Sequence, residues 1–558
     1  MNFFARSPAL GLLLVLALPA YAENELRENL RQRLEAVHGD APLMVGDKPL
    51  QAAELLQSLY ETREWRPIWF DDQGRASALQ AQLLDAVDRA ADHGLEPDHY
   101  HRVELEALLG GSPPFAGTAA VVDIELLASD GLLRLGYHLL HGRVDPESID
   151  PDWWLQREVP DLFEALADGR DEGPVDLVAV LDRLAPRYPA YQLLRQRLAL
   201  QRDLALNGGW SPIPEGPLLR PVASDERVAA LRERLAILGD LPASENGNGS
   251  ESPENDYSDW LVEGVRAFQR RHGLEPDGIV GPRTLAELNT TPEQRVAQLR
   301  ANLERWRWLP RDLGEEYLLV NIAGYAMHVH SNDQVRMSQR VVVGTPFRRT
   351  PVFSGRITYL VLNPSWEVPP RLAVQDQLPR IRADLSYLER MGFSVYQGWG
   401  AEERRIDPES VDWARLSARN FPYRLRQAPG PENALGRVKF MFPNRHNVYL
   451  HDTPARGLFA REERAFSSGC IRIEDPQTLT QWLLNERSNI MPPERIQAIL
   501  DSEVETTVRL DRPLPVHLLY WTAWVDDEGE VHYRRDIYQR DWPLIEALDA
   551  PPVHLQGH

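Results

Sequence analysis

FSSGCIRIEDP, residues Phe466–Pro476, holds the single cysteine of the 558-residue chain. Gly469 marks a turn, and the alternation of Ile471, Arg472 and Ile473 reads as a short strand. Asp475 and Pro476 read as the N-cap and first turn of a helix over PQTLTQWLLNE. The cysteine therefore lies where a glycine turn meets a sheet, with a capped helix close behind. Upstream, NVYLHDT (Asn447–Thr453) alternates like another strand, which puts Tyr449 and His451 on one face. The connection TPARGLFAREERAFSS is long enough to loop out and return, so His451 and Cys470 can meet at neighbouring strand ends.

Working outward, the β pattern extends from residue 315 through EYLLVNIAGYAMHVH, VRMSQRVVVGT, SGRITYLVLNPSW and GRVKFMFPN, with turns of Gly, Asn, Asp and Pro between them. This spacing of short strands predicts a sandwich or barrel-like sheet over 300–515. PPRLAVQDQLPRIRADLSYLERMGF interrupts it, and 370–435 reads as a helical insertion capping the sheet. PVHLLYWTAWV and VHYRRDIY add strands, so 516–558 reads as a β-rich extension of the same domain.

The rest of the chain is helical. ELRENLRQRLEAV, SALQAQLLDAVDRAADHG, DIELLASDGLLRLGYHLLHG and DLVAVLDRLA carry apolar residues at three- and four-residue spacing, which predicts a helical scaffold over 23–215. Its His93, His99, His101, His138 and His141 are scattered and read as core or solvated residues. A smaller three-helix module follows over 216–295. Ser224 is the expected N-cap of a helix bearing Val228, Leu231, Leu235 and Leu238 on one stripe. A second helix carries Leu261, Val265 and Phe268 and stops at Gly273; Asp277-Gly278 then turns into a third with Pro282 in its first turn. The polar PASENGNGSESPENDY between the first two reads as a mobile loop. The fold class is multidomain α+β.

The N-terminus, MNFFARSPALGLLLVLALPAYAENEL, has the basic start, short apolar run and AYA cleavage site of a secretory signal peptide over 1–22. The mature chain is then expected to begin at Glu23, in the periplasm, with no stable membrane span after cleavage. A formal net charge of −22 argues against nucleic acid, which needs a basic face, and no Lys/Arg block suggests a membrane surface. A single cysteine cannot close a disulfide within the chain, so an exported thiol is either buried or used.

A thiol becomes a strong nucleophile beside a base that takes its proton. Cys470 is the candidate nucleophile and His451 the candidate base. Backbone N–H groups around Ser468 and Gly469 would face an incoming carbonyl as an oxyanion hole, each donor worth ~3 kcal/mol in the transition state. Arg472 can hold a carboxylate on the same face. Ser467, Tyr449 and Trp366 (of LNPSWEVPP) are expected to wall the substrate site. Asp452, next to His451, points to the opposite face, so a backbone carbonyl is the expected partner of the imidazole. HDTPARGLFAREE has no paired-histidine spacing; no metal and no cofactor are expected.

AFQRRHGLEPDGIVGPRTLAEL resembles the peptidoglycan-binding domain of bacterial cell-wall enzymes in its Phe-Gln pair, Asp-Gly turn and Gly-Pro-x-Thr helix start. His451, Ser467, Gly469, Cys470 and Arg472 resemble the signature of the YkuD-type L,D-transpeptidases, His followed by a loop and Ser/Thr-His-Gly-Cys-x-Arg. Ser468 stands where most of that family has histidine; Ser-Ser-Gly-Cys is the form of its YcbB-type branch, whose order of domains the chain is similar to. The resemblance implies that Cys470 attacks the carbonyl at the L-centre of meso-diaminopimelate in a tetrapeptide stem, releasing D-Ala. The thioester would then pass to the side-chain amine of a second stem, a 3→3 cross-link. It further implies peptidoglycan tetrapeptide stems as donor and acceptor, other cell-wall synthases as partners, and carbapenems as acylating agents of Cys470. Two alternatives stay open: an L,D-carboxypeptidase or endopeptidase using the same Cys/His pair, and a non-catalytic wall-binding scaffold.

Overall fold

The apolar spacing of the N-terminal half produces helices whose buried faces converge on α1 (Thr118–His141). Its length is apolar nearly all round, so it is enclosed on almost every side. The polar groups it takes inside are each paired. Glu125 accepts from Tyr60 Oη at 2.7 Å, Asp130 from the amides of Gln51 and Ala52 at 2.8 Å, and His138 bonds Tyr100 Oη at 2.9 Å. His93, His101 and His138 are thus core residues, as their scatter suggests. The coordinates are a computed structural model that describes residues 17–36, 42–71, 75–110, 117–155, 160–167, 174–241, 255–332 and 334–555. Most of the expected signal peptide lies outside them, and among the described residues no helix is long and apolar enough to cross a membrane.

Helix α2 (Pro189–Leu206) leads to the small module of α3 (Arg227–Leu238), α4 (Asp259–Arg271) and α5 (Pro282–Leu288). Val228, Leu231, Leu235, Leu261, Val265 and Phe268 form its separate core. Ser224 is not the cap of α3. It forms a β-bridge with Asp256, and Asp225 accepts from the Arg227 amide at 2.9 Å just ahead of the first turn. A longer acceptor one residue closer reaches the free N–H groups better than serine does. Most of the polar loop between α3 and α4 lies outside the described residues.

Helix α6 (Pro292–Arg307) ties the three parts together. It opens with a capping box from Thr291 and Gln294. Glu304, fully buried, ion-pairs Arg307 and accepts from the Val144 amide at 2.8 Å, while Arg307 donates to the His93 carbonyl at 2.8 Å. Asn302 donates to Thr522 Oγ1 at 2.8 Å, and Arg305 pairs Asp541 at 2.6 Å.

The C-terminal half is a nine-stranded sheet. Its strands are β1 (Glu316–Asn321), β2 (Ala326–Ser331), β3 (Gln334–Gly344) and β4 (Phe353–Leu362), then β9 (Val438–Met441), β10 (Leu450–His451), β11 (Ala465–Ser467), β12 (Ile471–Ile473) and β13 (Thr506–Leu519). The order is β11-β3-β12-β10-β9-β4-β13-β1-β2, and β3 pairs β2 as well, so the sheet closes on itself like a barrel. Closure leaves few unpaired edges. Between β4 and β9 lies the insertion. Besides short helices it holds a four-stranded sheet of β5 (Trp366–Glu367), β8 (Tyr423–Gln427), β6 (Phe393–Gln397) and β7 (Arg404–Ile406), in that order. The insertion holds the expected helices and, beyond them, a β ladder in which GFSVYQ and YRLRQ alternate and pair. Leu378, Ile381, Leu388, Val395, Trp413 and Leu425 give the cap its own core.

The C-terminal extension is corrected. Strand β13 runs straight across the expected boundary at 516. After the hairpin β14 (Ala523–Val525) and β15 (Val531–Tyr533), the chain ends in helix α7 (Asp541–Asp549), whose Leu544 and Leu548 are buried. Leu544, Leu548 and the Asp541 carboxylate need a helix to reach the core and α6 together.

Two stability predictions follow from these burials. Glu304→Ala leaves Arg307 charged and unpaired in the interior, and urea unfolding should show a loss of about 3–5 kcal/mol. Burial holds His93 at about 4, His451 at about 3 and His517 at about 4, below the ordinary 6.5. Below pH 6.5 the unfolded chain takes up protons that the native chain refuses, so stability falls with acid. The thermal midpoint should drop between pH 7 and pH 4.5.

Candidate active site

A cleft of about 1540 Å³ lies between the cap and the open end of the sheet, and Cys470, His451, Arg472, Tyr449, Ser467, Ser468 and Trp366 all line it. The turn Ser467–Cys470 joins β11 to β12. Gly469 has φ +117°, a conformation a side chain resists, so glycine is required there by the backbone. Ser467 is buried and its hydroxyl is internal to the turn: it donates to the Cys470 carbonyl at 2.5 Å and accepts from the Gly469 amide at 3.1 Å. Thr350 Oγ1 donates to the Gly469 carbonyl at 2.9 Å. The Gly469 amide is therefore occupied, which removes it from the expected oxyanion donors. The amides of Ser468 and Cys470 have no hydrogen-bond partner among the described residues, so they are the donors available to a carbonyl.

His451 ends β10, facing Arg472 of β12 on one side and Lys439 of β9 on the other. Its Nδ1 lies 2.5 Å from the Asp452 carbonyl, which can only accept; the proton sits on Nδ1 and Nε2 keeps its lone pair. Asp452 is buried and its carboxylate turns away, accepting from the amides of Arg437 at 2.7 Å and Thr453 at 2.6 Å. Gly436, at φ +60°, packs against it so closely that a Cβ would fall 2.3 Å from Asp452 Cγ. Asp452 thus acts through its backbone carbonyl, with the side chain anchoring the turn.

The thiol of half-buried Cys470 points at the Asn447 carbonyl, 3.7 Å away, rather than at His451. The Tyr449 amide and phenol stand beside the sulfur and favour its thiolate, and Trp366 stands beside the phenol. Burial pushes the thiol up from its ordinary 9, against the pull of Tyr449, Lys439 and Arg472. Burial, then the Arg472 charge, hold His451 down at about 3. Thiol and imidazole are both neutral at rest.

Ser468 faces the cap. Its hydroxyl accepts from Arg348 at 2.8 Å, and the same guanidinium grips Asp376 of the π-turn Ala373–Gln377 with two bonds of 2.8 and 2.9 Å. The position where histidine is usual therefore tethers the nucleophile turn to the cap. Asp475 caps the helix after β12 by accepting from the Thr478 amide at 3.0 Å.

Comparison with known proteins places this geometry. Residues 315–509 match the "L,D-transpeptidase catalytic domain" of the YkuD family, residues 224–288 a "Putative peptidoglycan binding domain", and residues 54–198 a "Scaffold domain". The site therefore lies in the segment similar to a YkuD L,D-transpeptidase catalytic domain, behind a segment similar to a peptidoglycan-binding domain. Over 300 residues it is 36% identical to a Haemophilus influenzae protein named "Putative L,D-transpeptidase", a match spanning 52% of this chain and 59% of that protein. Two solved structures share less. An L,D-transpeptidase (residues 123–326) from Xylanimonas cellulosilytica is 15% identical over 55% of this chain and 98% of its own, with a TM-score of 0.18. The Ldtfm-avibactam carbamoyl enzyme is 12% identical over 52% and 98%, with a TM-score of 0.17.

Two residues of the cleft escape sequence reading. Lys439 sits in GRVKFMFPN as one polar residue of a strand, and Arg348 in a loop far from Cys470; only strand pairing and loop folding bring them in. Among the described residues, Asp526, Glu530 and His532 have ligand atoms within 4.8 Å of one another, as a metal would need, but none lines the cleft. Titration at 240 nm should show the Cys470 thiolate forming only above pH 9 in the native protein, and nearer pH 9 or below once the chain is unfolded.

Proposed function

We propose that the chain is a periplasmic peptidoglycan L,D-transpeptidase that forms 3→3 cross-links through a cysteine thioester. The observation that carries this reading is the pairing of a cleft-lining Cys470, whose own amide is free to receive an oxyanion, with a His451 whose Nε2 is unprotonated. The catalytic and wall-binding domains in one chain support peptidoglycan as the substrate and a site of action outside the cytoplasm.

In the acylation step His451 Nε2 takes the thiol proton as Sγ bonds to the carbonyl carbon of the donor stem. The negative oxygen is received by the Cys470 amide. The C–N bond to D-Ala then breaks, and the leaving amine carries away the proton from His451. In the second step His451 takes a proton from the acceptor amine, nitrogen bonds to the thioester carbon, and the thiolate leaves to be reprotonated. Arg472, with no acidic partner among the described residues, is suited to the terminal carboxylate of the donor. Tyr449 and Trp366 wall the site beside the thiol.

Disaccharide-tetrapeptide muropeptides incubated with the protein should give a dimer lacking one D-Ala by mass spectrometry. Cys470→Ala should abolish it, and His451→Ala should lower the rate by about 10²–10⁴-fold. Tripeptide monomers alone would make the chain a carboxypeptidase, and binding without turnover would make it a wall-binding scaffold. An intact-mass shift at Cys470 after meropenem is expected as well.

A further inference from the structure

Lys439, His451 and Arg472 are direct cross-strand partners on β9, β10 and β12, so their side chains stand in one row on the cleft face. Neighbouring strands lie about 4.8 Å apart, which sets two cations on either side of one imidazole. Neither cation is neutralised. Among the described residues Lys439 has no hydrogen bond or ion pair, only the face of the Tyr449 ring 4.0 Å from its Nζ; Arg472 has no ion pair, and its Nε is buried and unpartnered.

None of the described acids that line the cleft makes an ion pair with Lys439 or Arg472. Glu505, the carboxylate nearest in effect to Lys439, is bound to the Ser365 amide at 2.5 Å and its hydroxyl at 2.6 Å. Glu367 is held by Arg424 and Arg426, Asp376 by Arg348, and Asp452 by backbone amides and Arg456. A charged pair left without counterions inside a cleft is costly unless a ligand supplies them.

We propose that Lys439 and Arg472 together form a receptor for a peptide bearing two carboxylates, and that filling it is what readies His451 to accept the Cys470 proton. This rests on the transpeptidase reading above and adds a residue and a switch to it. In the empty cleft an imidazolium would stand between two like charges, and burial opposes it further. Two bound carboxylates neutralise the cations on either side of the imidazole. The imidazole then becomes a competent base. The thiol is thereby kept unreactive toward solvent oxidants and neutral electrophiles until an anionic donor is seated. Lys439 is the specificity-determining residue of this arrangement.

Because Cys470 is the single cysteine, alkylation of the full chain reports on this site alone. Rate constants at pH 7 are measured for iodoacetate, which carries a carboxylate, and iodoacetamide, its neutral counterpart. In either case the thiolate displaces iodide. The iodoacetate-to-iodoacetamide ratio of the native protein should exceed that of the guanidinium-unfolded chain by about tenfold. Lys439→Met should lower it at least ~threefold, and Lys439→Arg should keep it within about twofold, as a charge effect requires. Equal ratios in native and unfolded chains overturn the receptor without any variant being needed. An unchanged ratio in Lys439→Met, or an equal loss in Lys439→Arg, overturns the part given to Lys439. Muropeptide turnover is read separately: a lost ratio with turnover intact sinks this inference, while a retained ratio without turnover sinks the transpeptidase reading alone.

Discussion

Strands β9, β10 and β12 are paired so that Lys439, His451 and Arg472 stand side by side over the cleft. A slip of one residue in either pairing would turn one of the three to the face opposite the other two. The register is held from below by buried apolar neighbours, Val438, Phe440, Leu450, Ile471 and Ile473, which alternate with the cleft-facing residues. The same core that stabilises the sheet thus aligns the charges of the site. Closure of the sheet through β3, which pairs β12 at one end and β2 at the other, keeps these short strands from fraying at an edge.

Around that row the polar groups divide into those that hold shape and those left for a ligand. Ser467, Thr350 and Asp452 spend their hydrogen bonds within the turns that carry Cys470 and His451. The Cys470 amide, the His451 Nε2, Lys439 and Arg472 have none or are turned to the cleft. Rigid support beneath and unsatisfied groups above is the arrangement expected where charge must be stabilised as it develops. The cap completes it from the other side: it has its own hydrophobic core and meets the nucleophile turn through Arg348, which links Asp376 to Ser468. The cap therefore has a core of its own and is joined to the nucleophile turn by polar contacts.

Much of this was legible in the sequence. The period of three to four in the N-terminal half, the Asp277-Gly278 turn and Pro282 start of the small module, and the alternating strands from 315 all emerged as the elements expected. So did the glycine turn at Gly469 and the Asp475 cap. Where local pattern misleads, a distant partner decides: Asp256 for Ser224, and the buried Asp541–Arg305 pair for the C-terminal helix.

By itself, the sequence determined that a lone cysteine follows a glycine turn, that a histidine strand precedes it, and that a helical scaffold and a small three-helix module come before a β domain. These depend on local periodicity, turn chemistry and residue type, which need no partner to be read. The tertiary structure alone decided that Gly469 gives its amide to Ser467, that Ser468 serves Arg348 and the cap, and that Lys439 and Arg472 flank His451. Each of those is a choice of partner across many residues of chain, and periodicity tells which way a side chain faces but not which strand lies beside it.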